Sequence, residues 1–190
     1  MQPPQIGARS ARIMRELAGP LADIYVARTM RPSLRGALKA ETDSLADLKA
    51  AFFDPYRCLR ALYAYYAFAR RGKERMELAS LVVQAFEDTC SPERFDDFVE
   101  RQEGAAVWLR FAALCEERRR KSHEQLNKGT ICGLAELALE IGRELPGESI
   151  AGWIVREVTS SGRLDPTFTR MVEIRGVGPK LTSLFMRDVV

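Results

Sequence analysis

The sequence is poor in the residues that metal and nucleophile chemistry most often uses. Its 190 residues include one histidine and four cysteines. The histidine, His123, stands in a charged stretch, where a solvated surface side chain is the expectation. Cys58, Cys90, Cys115 and Cys132 lie far apart, and no pair has the close spacing of zinc ligands. No metal and no other cofactor is therefore expected, and each thiol should behave as a small buried apolar group. No apolar run is long enough to cross a membrane. The start, Met1-Gln2-Pro3-Pro4, lacks the shape of a secretion signal. The expectation is a cytoplasmic chain with no membrane partner. Charge imbalance is also small: 29 basic against 26 acidic residues, net +3. So mild a balance does not establish nucleic-acid binding, and local patches must decide. Neither a convincing strand pattern nor an internal repeat is present.

What the chain has is helical periodicity. Hydrophobic residues make up 46% and charged residues 29%, enough for a core and a soluble surface. The expected fold is all-α, a bundle of roughly nine or ten helices by the spacing of apolar residues. Residues 11–18 read as a basic helix carrying Arg9, Arg12 and Arg15, and 21–30 as a second. A basic connection follows at 31–42. Ser44 with Asp47 opens a helix that runs to Phe53. Residues 56–70 place Leu59, Leu62, Tyr63 and Tyr66 on one face. Such a stripe can stack on bases, but at helical spacing it reads first as core. Residues 74–89 turn Leu78, Ala79, Val82, Val83 and Phe86 inward. Ser91-Pro92 opens the next helix, whose buried side is Phe95, Phe98 and Val99. Gly104 should break it before a helix over 105–121. That helix ends in Arg118-Arg119-Arg120-Lys121, which favours its carboxyl end through the helix dipole or faces phosphate. Residues 122–142 continue helically, Leu145-Pro146-Gly147 breaks, and 148–161 form a helix closed by Gly162.

The last stretch differs in kind. Asp165-Pro166 is a helix start in which the carboxylate should cap free N–H groups. Phe168, Met171, Val172 and Ile174 give that helix an apolar face. Gly176 and Gly178 allow a tight turn. Pro179 then begins a helix with Leu181, Leu184, Phe185 and Val189 at helical spacing. The two glycines let an anion approach the free N–H groups at the start of this second helix. Lys180 sits in its first turn, where a cation is unfavourable unless an anion joins it or it sheds its proton. A plain helix–helix turn accommodates the same residues. A dinucleotide loop does not, because the third glycine and the preceding strand are missing.

Residues 165–190, about one seventh of the chain, resemble the helix-hairpin-helix DNA-binding motif. Ile174-Arg175-Gly176-Val177-Gly178-Pro179-Lys180 is similar to the version in the endonuclease III and oxoguanine DNA glycosylase superfamily. The resemblance implies that Arg175, Gly176, Val177, Gly178 and Lys180 bind double-stranded DNA. It also implies that Lys180 is catalytic, the amine that forms a Schiff base with the sugar. The clustered cysteines that hold an iron–sulfur cluster in some of these relatives are missing here. The catalytic aspartate of the family would lie a further loop and helix beyond Lys180. Val190 follows Lys180 by only ten residues, with no helix-stop signal. The expectation is thus a piece of a longer enzyme, able to bind DNA without completing the chemistry. Residues 1–164 would form the helical bundle and 165–190 the motif, packed into the same domain. Two alternatives stand beside this: a non-catalytic helical DNA-binding protein, and a protein-interaction module.

Overall fold

The computed structural model describes residues 52–63 and 74–189. The segments expected at 11–18, 21–30 and 31–42, nearly all of the helix opened by Ser44, and residues 64–70 of the aromatic helix lie outside them. The described residues are all-α, with no strand among them. Eight helices follow in order: α1 Pro55–Ala61, α2 Glu74–Thr89, α3 Phe95–Glu100, α4 Gly104–Glu117, α5 Gly129–Glu144, α6 Ile150–Ser161, α7 Asp165–Glu173 and α8 Pro179–Val189. A single 3₁₀ turn, Pro92–Arg94, leads into α3, and a wide π-type turn, Glu124–Lys128, leads into α5. No described helix is long and apolar enough to cross a membrane.

Local chemistry explains several boundaries. Asp54 starts α1 by accepting a hydrogen bond from the Arg57 amide at 2.7 Å, with Pro55 next in line. Ser149 starts α6 in the same way, its Oγ accepting from the Gly152 amide at 2.9 Å. Gly162 ends α6 in the left-handed region at φ 66°. Most of the core is a single large cluster, in which the Phe86 ring meets Tyr56, Tyr63 and Phe98 at centroid distances of 5.0, 5.3 and 5.5 Å; Ala79 and Val83 form a small separate one. Met171, Ile174, Val177 and Phe185, from α7, the turn after it and α8, belong to the large cluster. Cys58, Cys90 and Cys115 are buried within it. Burial pushes the Cys58 thiol up to about 12 and Cys115 up to about 11, so neither offers a thiolate at neutral pH.

Several expectations are corrected. The break expected at Gly104 falls just before it, at residues 101–103; Gly104 itself begins α4 and lets α5 come close, since a Cβ there would lie 3.0 Å from that of Ala135. The helix expected over 105–121 stops at Glu117, so the basic run lies beyond it. The helix expected over 122–142 begins only at Gly129. Asp165 caps nothing: Leu164 holds the cap position, and the Asp165 carboxylate instead faces Arg163 at 3.5 Å.

Two helix ends use residues other than glycine in the left-handed region. Gln102 (φ 55°) follows α3 and Arg119 (φ 53°) follows α4. In each case the next amide reaches back to close the end: Glu103 N–H to Phe98 O at 3.1 Å, and Arg120 N–H to Cys115 O at 2.7 Å. A Cβ makes this conformation costly. Gln102→Gly should therefore stabilise the protein by about 0.5–1 kcal/mol, after allowing for the looser unfolded chain. A urea melt with an unchanged or lowered midpoint would show that the strain is not there to be relieved.

Candidate nucleic-acid interface

The candidate site is built from α7, the residues 174–178 that follow it, and the first turn of α8. Its five sequence-predicted residues fall in one short stretch and divide by exposure. Arg175, Gly176 and Lys180 are exposed, Gly178 is half-buried, and Val177 is buried at 2% exposure. Val177 thus anchors the turn in the core while its neighbours face water. Its amide donates to Ile174 O at 2.9 Å, closing the turn.

The two glycines have different reasons to be there. Gly176 adopts φ 93°, and a Cβ on it would lie 2.1 Å from Thr130 Oγ1 and 3.1 Å from Leu126 O. Its identity is fixed by the fold itself. Gly178 has no left-handed φ, and a Cβ on it would meet nothing within 4 Å. Nothing inside the protein requires a glycine at 178. Beyond it, the Leu181 and Thr182 amides both donate to Gly178 O, at 3.0 and 3.1 Å, as α8 begins. No described residue accepts from the amides of Gly178 or Lys180. These are the free donors that any helix start leaves. The Lys180 ammonium makes no ion pair among the described residues.

Sequence reasoning missed the seat on which this turn rests. It is the first part of α5. Thr130, 1% exposed, donates its hydroxyl to Leu126 O and Arg175 O, each at 2.8 Å. Gly129 makes room for the Arg175 stem, which would stand 2.9 Å from an added Cβ. Gly133, one turn on, makes room for Ile174 Cγ2, which would stand 2.7 Å away. Farther along α5, Glu140 binds the Arg170 guanidinium through both oxygens, at 2.5–2.6 Å from Nη2. That bond raises the Arg170 pKa further above its ordinary value. The signal was available: Gly129 and Gly133 stand four apart, on one helical face. Gln125, in the π-type turn, accepts from Arg175 Nη2 at 3.3 Å and steadies the guanidinium at the surface.

Clefts lie elsewhere among the described residues. One, of about 330 Å³, runs between α3, the end of α5 and the start of α6, past Phe95, Val99, Leu139 and Ile150. Another is a shallow groove along α6 beside Phe53, and Lys180 lines neither of these. Among the described residues no cluster of histidine, cysteine or carboxylate groups could hold a metal ion. No family model, no curated protein and no solved structure matches the chain.

Proposed function

We propose that this protein holds the backbone of double-stranded DNA with the turn 174–178 and the first turn of α8. The observation that carries the reading is the open space at Gly178. A glycine that neither packing nor φ requires is explained when an outside group must come close to the backbone there. The unpartnered Gly178 and Lys180 amides, the partial positive charge of the helix start and the Lys180 ammonium all suit a phosphate oxygen. Arg175, held by Gln125 at the rim of the same turn, suits a second phosphate. Such contacts position a protein on a duplex and read no base edge. Binding should be nearly independent of sequence and should weaken steeply as salt rises from about 50 to 200 mM, because counterions are released. Fluorescence anisotropy with duplexes of unrelated sequence tests this. Salt-insensitive binding, or none, overturns it.

The resemblance to base-excision DNA glycosylases also implies a covalent role for Lys180. An attacking amine must be unprotonated, which calls for a desolvated or specially paired site. Lys180 is exposed, so a phosphate contact fits its surroundings better than a nucleophile. Incubated with abasic duplex and borohydride, the 190-residue chain should yield no trapped adduct, or only a trace. A strong adduct lost in Lys180→Gln would assign the lysine to the lyase reaction instead.

A further inference from the structure

We infer that the cleft of about 330 Å³ between α3, the end of α5 and the start of α6 binds a small molecule with an apolar body and one cationic amine. The inference stands apart from the DNA-binding reading. The turn 174–178 rests on Thr130, near the start of α5. Gly142, which lines the cleft, lies twelve residues further along that helix, about 18 Å at 1.5 Å per residue.

The cleft has the build of a small-molecule site. Its volume falls within the roughly 300–1,000 Å³ usual for such sites. Phe95, Val99, Leu139 and Ile150, all buried, give it an apolar lining. Gly142 supplies a separate sign. It sits inside α5, where glycine weakens a helix relative to alanine. Its φ is not left-handed, and a Cβ on it would meet nothing within 4 Å. Among the described glycines this combination recurs only at Gly178. At 142 the open space adjoins the cleft, and the approach of an outside molecule there explains a residue without a side chain.

The charges around the cleft select its ligand. Asp96, Glu100 and Glu148 line it against a single guanidinium, Arg143, in a chain whose net charge is +3. The simpler reading is that each carboxylate serves its own helix. That holds for Asp96, in the first turn of α3, and for Glu148, which accepts from the Ser149 amide at 3.2 Å as α6 begins. It fails for Glu100. That residue ends α3, where the dipole disfavours a carboxylate, and it stands four residues past Asp96, a like charge on the same face. A cation in the cleft relieves both. Glu148 is also given room, because a Cβ on Gly152 would overlap its Oε1. Its carboxylate is thus seated at the cleft wall before any ligand arrives. An anion entering the same space would meet three carboxylates.

The test titrates the full chain with phenylbutylamine and with two counterparts of the same shape, neutral phenylbutanol and anionic phenylbutyrate, followed by ligand-observed NMR. The amine should bind saturably with a Kd of roughly 0.1–5 mM and at least about tenfold more tightly than the butyrate, with the alcohol between them. Gly142→Leu fills open space with a better helix former, and should weaken amine binding about tenfold or more with circular dichroism unchanged. Asp96→Asn/Glu100→Gln alters two exposed side chains and should erase the preference for amine over alcohol, a readout that a merely structural role would not move. No saturable amine binding below about 10 mM, equal binding of amine and butyrate, or parental binding by a folded Gly142→Leu each overturns the inference. If Gly142→Leu does not fold, an unchanged amine preference in Asp96→Asn/Glu100→Gln overturns it instead. Amine binding that weakens as protein concentration rises also overturns it, and gives the cleft to a second copy of this chain.

Discussion

Gly178→Val should reduce duplex-DNA affinity about ten- to a hundredfold, which is roughly 1.4–2.8 kcal/mol, and leave thermal stability unchanged. The separation of the two effects is the point. Space around the Gly178 Cβ direction is empty and its φ lies outside the left-handed region, so an added Cβ meets no internal obstacle. What valine does obstruct is the approach of an oxygen to the Gly178 and Lys180 amides. Those donors, at the start of an eleven-residue helix, are strong only at hydrogen-bond distance. Unchanged affinity in a variant with a parental melting curve would remove the turn from the interface.

Gly176→Val should have the opposite profile, damaging the fold first. Its φ of 93° costs a β-branched residue about 1–3 kcal/mol. The added carbon would then stand 2.1 Å from Thr130 Oγ1. Thr130 has little freedom to move aside, because its hydroxyl is engaged by Leu126 O and Arg175 O and its side chain is buried. Overpacking of this kind adds a further 1–3 kcal/mol or so. The combined loss, about 2–6 kcal/mol, should lower Tm by at least about 5 °C in a protein of this size. A calorimetric Tm within a degree or so of the parent's would mean that the turn does not sit on Thr130.

The contrast between these glycines shows where the sequence could be read and where it could not. Gly176-Val177-Gly178 announced a tight turn followed by a helix, and the structure has both, with α8 beginning at Pro179. Which glycine serves the turn and which stands open depends on Thr130, 46 residues before Gly176 and without a local signature. The start at Ser91-Pro92 was legible from the proline, although the Ser91 hydroxyl caps nothing, whereas the Ser149 cap of α6 was not read in advance. Asp165 misled likewise: the pattern was right, but its carboxylate turned to Arg163. The stretch 122–128 read only as a weak start to the helix that follows. The chain instead runs without helix from Arg120 to His123 and then widens into the π-type turn, leaving Leu126 exposed. The helix ends at Gln102 and Arg119 gave no warning, since neither residue type favours a left-handed φ.

The Thr130–Arg175 hydrogen bond has a kinetic side as well. It joins residues 45 apart in sequence. Closing a flexible loop of that length costs about 3 kcal/mol in chain entropy before any contact repays it. The cost falls once α5, α6 and α7 have wound, because each helix shortens its segment to about 1.5 Å per residue. The turn therefore reaches its place after the helices between its two ends have formed. Substitutions on its seat should act chiefly by hastening the turn's departure from the folded protein, with little effect on the rate at which the rest of the chain assembles.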